Sequence, residues 1–129
     1  MSGHGRTILV VEDDHGFRST LSEILRFEGF AVITARDGDE GYLLAMAHRP
    51  DLIITDLQMP GLDGFGMVRL IRRQNGQIGD VPIIALSGSL NAVHLPERVN
   101  SGIDRIVDKS ATDRHVLMGA IESLLIKAV

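Results

Sequence analysis

The chain has 129 residues, of which 44% are hydrophobic and none is cysteine, and its formal net charge is −4 at pH 7. This length allows one buried core and is too short for two ordinary domains, so we expect a single domain over residues 1–129 with its core at about 6–127. Because the chain has no cysteine, disulfides and thiolate metal sites are excluded. Its net negative charge argues against direct nucleic-acid binding.

The first predicted strand is the apolar run at residues 8–11, which is rich in β-branched residues and too short for a helix. Apolar residues then recur at helical spacing over residues 17–25 and predict a first helix that stops at Gly29. Residues 31–35 predict the second strand.

The second predicted helix begins at Asp37, a candidate N-cap, with Glu40 three residues later, and it ends near His48. A third strand is predicted at residues 52–55. The helix that follows has one apolar face and runs to about Gln74.

The C-terminal part of the chain predicts two further strands, at residues 81–86 and 103–107. Between them, residues 91–101 predict a short helix, in which Pro96 fits only the first turn. A final amphipathic helix is predicted after an N-cap at Thr112.

Five strands therefore alternate with five helices, which is typical of an α/β fold. Parallel strands need crossover connections, and the helices supply them while covering both faces of the sheet. We expect a doubly wound parallel sheet between two helical layers, a (βα)5 three-layer sandwich.

Polar residues follow several of the predicted strands, where each strand ends. In a doubly wound sheet these carboxyl ends meet at one edge, so residues distant in sequence converge there. The residues in question are Glu12, Asp13, Asp14, Asp56, Ser87 and Lys109.

This combination favours phosphoryl chemistry. Converging carboxylates repel one another unless a hard cation such as Mg²⁺ neutralises them. Asp56 can attack a phosphoryl group to form an acyl phosphate, while Ser87 and Lys109 supply a hydroxyl donor and a cation for its oxygens. Each residue alone is more often a turn or cap residue, and it is their joint placement on one edge that argues against coincidence.

The chain resembles the receiver domain of bacterial two-component response regulators, the chemotaxis regulators among them, over nearly its whole length. The resemblance rests on four segments in order, at residues 8–14, 51–64, 82–88 and 108–109. It implies a flavodoxin-like fold with strand order 2-1-3-4-5.

The resemblance also implies that Asp56 accepts a phosphoryl group from the phosphohistidine of a histidine kinase or histidine phosphotransfer protein. The domain itself would catalyse the transfer. Asp14, Asp56 and the backbone carbonyl of Gln58 would bind Mg²⁺ directly, and Asp13 would contribute through water.

By the same resemblance, Ser87 and Lys109 would contact the phosphoryl oxygens. Receiver domains of this family also hydrolyse their own acyl phosphate slowly, and the side chains of Gln58 and Ser89 would influence that rate. Gly88 lies between the hydroxyl residue and Ser89 and belongs with these modulating positions.

Two positions depart from the family pattern. Ser110 stands where a proline usually forms a cis peptide after the lysine, so the Lys109–Ser110 bond is either trans, with an adjusted loop, or a non-proline cis bond that costs roughly 3–4 kcal/mol. Ile106 stands where many members carry a switching Tyr or Phe. Together with Pro96 in the fourth predicted helix, Ile106 predicts an atypical relay from the site to the surface formed by helix four, strand five and helix five.

The leading hypothesis is thus a phosphorylation switch read by a downstream protein effector or an adjoining domain, with no output domain in this chain. A dimer that forms on phosphorylation is left open. No apolar run approaches the ~20 residues that cross a bilayer, which favours a cytoplasmic protein without membrane contact.

Two other functions remain open from the sequence. A receiver-like scaffold that no longer needs phosphorylation is suggested by Ile106 and Ser110. An aspartate-nucleophile phosphatase would share the acyl-phosphate chemistry, but it needs a general acid near Asp56, and position 58 is Gln.

Overall fold

The computed structural model describes residues 5–88, 102–110 and 113–127. The strands are β1 (Thr7–Val11), β2 (Ala31–Ala35), β3 (Leu52–Asp56), β4 (Ile83–Ser87) and β5 (Arg105–Asp108). The helices are α1 (His15–Phe27), α2 (Gly38–His48), α3 (Gly64–Arg72) and α4 (Arg114–Lys127). A short 3-10 helix, Gln77–Asp80, precedes β4.

All five strands pair in parallel, in the order β2-β1-β3-β4-β5. The expected flavodoxin-like arrangement is confirmed. β3 lies at the centre between β1 and β4. Every residue of β3 and β4 is buried, because helices cover both faces of a parallel sheet.

The core divides into two clusters, one on each face of the sheet. Ile8 and Val10 of β1 pack with residues of α1 and α4 on one face, whereas Leu9 and Val11 pack with residues of α2 and α3 on the other. Successive strand residues point to opposite faces, so a continuous apolar strand feeds both clusters. The expected three layers are therefore present.

Aspartates cap the beginnings of the helices. The predicted cap at Asp37 is confirmed, since its Oδ1 accepts a hydrogen bond from the Glu40 backbone N–H at 2.8 Å. Asp63 caps α3 in the same way. For α4 the sequence favoured Thr112, which lies outside the described residues, and Asp113 makes the cap bond with Val116 N–H at 2.9 Å.

The other differences concern boundaries. The helix predicted at residues 91–101 falls outside the described residues. The 3-10 helix before β4 was not predicted, because one short turn leaves no periodic pattern. Within the described residues, no helix is long and apolar enough to cross a membrane.

Candidate functional site

The ends of four strands meet at the carboxyl edge of the sheet. Asp56 is the last residue of β3, and its neighbour in register is Leu86 on β4. Ser87, one residue further on, lies opposite Asp108 of β5. The edge therefore brings Asp56, Ser87 and Lys109 together, as the sequence predicted.

Three carboxylates face one another at this edge. One oxygen from each of Glu12, Asp13 and Asp56 lies within 4.8 Å of the others. Glu12 continues the β1 ladder, since its N–H donates to Ala35 O at 3.0 Å. The residue after Val11 is therefore held beside the residue after Thr55, which is Asp56.

Asp14 does not belong to this trio, which differs by one residue from the expected ligand set of Asp13, Asp14 and Asp56. Asp14 is the N-cap of α1, and its Oδ2 accepts a hydrogen bond from Phe17 N–H at 2.7 Å. The chain has already turned into the helix at this residue. Glu12, which sequence reasoning did not assign to the metal site, takes the third place.

Lys109 Nζ lies between two of the carboxylates. It is 2.6 Å from Glu12 Oε1 and 3.4 Å from Asp56 Oδ2. The same ammonium group stands 4.6 Å from the centre of the Phe17 ring, a cation–π contact that faces it from α1. Lys109 therefore links Glu12, after the end of β1, to Asp56 at the end of β3.

Burial and these contacts shift two pKa values. Desolvation, with a smaller contribution from the charge of Asp56, raises the pKa of Glu12 to about 7, against the opposing effects of Lys109 and the Asp14 backbone N–H. Burial alone would lower the pKa of Lys109, but the hydrogen bond to Glu12 and the charges of Asp56 and Glu12 outweigh it and raise that pKa. Burial thus makes the charged form of Glu12 costly, and a divalent cation beside it would stabilise that form.

The backbone around Asp56 is closely packed. Gln58 N–H donates to Asp56 Oδ1 at 3.3 Å, so a carboxylate oxygen faces the start of the following loop. At Gly64 a Cβ would lie 2.4 Å from the carbonyl oxygen of Asp56. Glycine is therefore required where α3 begins, because any side chain would push the helix away from Asp56.

The turn after β5 has a local hydrogen-bond pattern that the sequence did not predict. Asp108 Oδ1 accepts from Ser110 N–H at 2.9 Å and from Ser110 Oγ–H at 2.7 Å. The Lys109–Ser110 peptide bond is trans, like the other described bonds. Of the expected switch positions, Ile106 is half-buried and Gly88 exposed, whereas Ser89 lies outside the described residues.

The trio could hold a divalent cation. Carboxylate oxygens are the ligands that Mg²⁺ prefers, and it usually retains several waters, so a set of two or three carboxylates at a partly open edge suits it. Asp13 is exposed, while Glu12 and Asp56 are buried. The residues present fit a hard cation with one side open to a further ligand.

Comparison with known proteins agrees with this geometry. The family model described as "Response regulator receiver domain" matches residues 8–122. The chain is 36% identical over 119 residues to the transcriptional regulatory protein AfsQ1 of Streptomyces coelicolor, covering 92% of this chain and 51% of that protein. It is 32% identical over 120 residues to the CAI-1 autoinducer sensor kinase/phosphatase CqsS of Vibrio cholerae, covering 93% of this chain and 17% of that protein.

Among solved structures, the chemotaxis protein CheY4 of Vibrio cholerae superposes with a TM-score of 0.85 at 28% identity, over 92% of this chain and 98% of that one. The fold and the acidic edge define a class of signalling domain that carries a phosphoacceptor. The chain belongs to the receiver-domain family of two-component response regulators, and the trio of Glu12, Asp13 and Asp56 fits the phosphoacceptor site of that family. It spans about half or less of the length of the curated relatives described above.

Proposed function

We propose that this receiver takes a phosphoryl group from the phosphohistidine of a histidine kinase or a histidine phosphotransfer protein onto Asp56. The observation that carries this proposal is the position of Asp56. It is a buried carboxylate at the end of β3, 3.4 Å from a lysine ammonium and within the acidic trio.

Glu12, Asp13, Asp56 and the backbone carbonyl of Gln58 are the groups we assign to Mg²⁺. When bound, the cation would neutralise the carboxylates and the phosphoryl oxygens. Asp14 keeps its place as a helix cap. The donor set supports this assignment, because all of its members are hard oxygen ligands.

In the transfer, one oxygen of the Asp56 carboxylate attacks phosphorus and forms an acyl-phosphate bond. The phosphorus–nitrogen bond of the donor breaks, and the imidazole leaves with its electron pair. Lys109 and Ser87 hold the phosphoryl oxygens, where charge is redistributed. In the slower hydrolysis of the acyl phosphate, water attacks phosphorus and releases phosphate and the free Asp56 carboxylate. The side chains of Gln58 and Ser89 would influence the rate of this step.

Phosphorylation would be read by a protein. The added charge at a crowded edge shifts the balance between two arrangements of the surface, and an effector or adjoining domain with different affinity for the two responds. We take residues 1–129 as one receiver domain that works in the cytoplasm, where such donors act, with a phosphorylation-dependent dimer as one form of the output.

Neither alternative function is favoured. A constitutive scaffold has no need for Asp13, Asp56, Ser87 and Lys109 to converge on one edge. A phosphatase needs a general acid near the nucleophile, and Gln58 offers only an amide at the position two after Asp56.

The proposal is tested by measuring intact-protein mass after incubation with acetyl phosphate and Mg²⁺. We expect one phosphoryl adduct in the wild type, none with a chelator and none in Asp56→Asn. Asp39→Asn, which removes an exposed carboxylate on α2, is the matched control and should react like the wild type. An adduct that persists in Asp56→Asn, or no adduct in the wild type at saturating donor and Mg²⁺, would overturn the proposal.

A further inference from the structure

The turn that carries Lys109 is closed by one side chain. Asp108 Oδ1 accepts hydrogen bonds from both the backbone N–H and the hydroxyl of Ser110, at 2.9 and 2.7 Å. A carboxylate that bonds the backbone two residues ahead forms an Asx turn. The central residue of this turn is Lys109.

Lys109 is therefore fixed on both sides of its Cα. On the N-terminal side its N–H donates to Ser87 O at 2.8 Å, which extends the β4–β5 ladder by one residue. On the C-terminal side the Asx turn holds the peptide that links it to Ser110. The ammonium group then reaches Glu12 and Asp56 from a fixed backbone.

Asp108 does not share the face of the sheet on which Lys109 acts. Val107 packs against the cluster formed with α1 and α4, and Lys109 lies over the Phe17 ring on that same side. Because side chains alternate along a strand, Asp108 points to the opposite face. The bonds from Asp108 to Ser110 can therefore act on Lys109 through the backbone of the turn, from the face opposite the reacting groups.

We propose that Asp108 is a positioning residue, which orients Lys109 toward the acceptor carboxylate by closing the Asx turn with Ser110. The inference rests on the proposed function, because it concerns the lysine assigned to the phosphoryl oxygens. Small displacements of a reacting or stabilising group lower a rate steeply, so the backbone of the turn matters to the transfer.

The test separates the shape of the turn from the charge of Asp108. Asp108→Asn loses the charge but keeps a carbonyl oxygen that can close the turn, whereas Asp108→Glu keeps the charge on a side chain too long to close it. Asp108→Ala loses both. Glu23→Ala, which removes an exposed carboxylate on α1, controls for net charge.

The first readout is the rate of phosphorylation by acetyl phosphate at saturating Mg²⁺. We expect Asp108→Asn to react within about twofold of the wild-type rate. The Glu and Ala variants should react about five- to tenfold more slowly, a ratio that corresponds to the loss of roughly one net hydrogen bond. Equal rates in all variants, or a loss in the Asn variant as large as in the Ala variant, would overturn the inference.

The second readout does not depend on phosphorylation. Hydrogen exchange at the Ser110 amide, followed by NMR, should be slow in the wild type and the Asn variant and fast in the Glu and Ala variants. An unprotected Ser110 amide in the wild type would refute the turn even if the protein took up no phosphoryl group. Failure of the proposed function, by contrast, appears as a missing adduct in the wild type.

Discussion

Asp13 and Asp14 are adjacent and chemically identical, yet their surroundings assign them different tasks. Asp14 accepts a hydrogen bond from Phe17 N–H at 2.7 Å and satisfies one of the free N–H groups at the start of α1. Asp13 makes no such bond within the part of the chain that the structure describes, and one of its oxygens lies near those of Glu12 and Asp56. The contact of Asp14 is local and structural, whereas the position of Asp13 brings like charges together.

This difference predicts opposite effects for two substitutions. Asp14→Ala should lower the free energy of unfolding by about 1 kcal/mol, the usual value of a helix cap, and leave Mg²⁺ affinity within about threefold. Asp13→Ala should weaken Mg²⁺ binding at least about tenfold, since a ligand is lost, with little change in the stability of the metal-free protein. Urea denaturation and isothermal titration calorimetry measure the two quantities.

Asp14→Asn is the control for this pair, because asparagine caps a helix as well as aspartate does. It should retain both stability and Mg²⁺ affinity. If Asp14→Ala weakened Mg²⁺ binding more than Asp13→Ala did, Asp14 would be the ligand after all.

Glu12 illustrates which part of the site the sequence could not settle. Three consecutive acidic residues follow β1, and strand-end reasoning alone does not say which of them faces Asp56. The register decides it, because Val11 lies beside Thr55 and Glu12 therefore lies beside Asp56. The sequence does indicate that Asp14 is a helix N-cap, because it stands three residues before Phe17, the first apolar residue of the helix.

At the scale of helices and strands, prediction worked where periodicity is strong. The five strands and the helices α1 to α3 are where the pattern placed them, to within a few residues. Buried strands leave short continuous apolar runs in the sequence, and amphipathic helices leave apolar residues at helical spacing. The 3-10 helix Gln77–Asp80 and the Asx turn at Asp108 were missed. Both depend on one or two hydrogen bonds, which leave almost no trace in composition.

Another feature invisible to sequence reasoning is the cluster of bonds around Arg72, the last residue of α3. Its guanidinium donates to the backbone oxygens of Gly79, Val81 and Gly102, at 2.7–2.9 Å. It also pairs with Asp104 at 3.1 Å, whose Oδ2 accepts from Ile83 N–H at 2.8 Å. One side chain thus joins α3 to the beginnings of β4 and β5.

Replacement of Arg72 by methionine should therefore be costly. We expect the free energy of unfolding to fall by roughly 3 kcal/mol, because several backbone oxygens and one carboxylate lose their donors together. Lysine should rescue only part of this loss, since a single ammonium cannot reproduce the planar fork of donors. The measurement is urea denaturation followed by circular dichroism.

The control for Arg72 is Arg69→Met on the same helix, where the side chain is exposed and the change should stay within about 0.5 kcal/mol. Equal losses at positions 69 and 72 would show that the bonds to Gly79, Val81 and Gly102 contribute little. A larger loss with lysine than with methionine would point to overpacking rather than to missing donors.

At the scale of the whole molecule, the amino and carboxyl ends of the strands carry different groups. Arg72 and its partners secure the amino ends of β4 and β5, where polar groups are satisfied by one another. The carboxyl edge holds Glu12, Asp13 and Asp56 close together, with Lys109 as the cation that contacts two of them. Repulsion among these carboxylates therefore lowers the stability of the fold at the edge where we place the reaction.

That cost predicts how the stability of the metal-free protein depends on pH. The pKa of Glu12 is about 7 in the folded state and close to its ordinary value of 4.5 in the unfolded chain, so the folded state binds more protons between these values. The free energy of unfolding should thus fall as pH rises from about 4.5 to about 7, and this contribution should be constant above pH 8. The raised pKa of Lys109 adds stability that is lost only above its ordinary value of 10.5, outside this window.

To isolate the contribution of Glu12, the free energy of unfolding is measured against pH by urea denaturation, with a chelator present, for the wild type and for Glu12→Gln. The profile of the variant is then subtracted from that of the wild type. We expect the wild type to lose stability relative to the variant by up to about 3 kcal/mol between pH 5 and pH 8. Glu23→Gln, at an exposed position on α1, should give a flat difference over the same range. A flat difference for Glu12→Gln would mean that Lys109 already compensates the buried carboxylate, and that the edge needs no cation to relieve it.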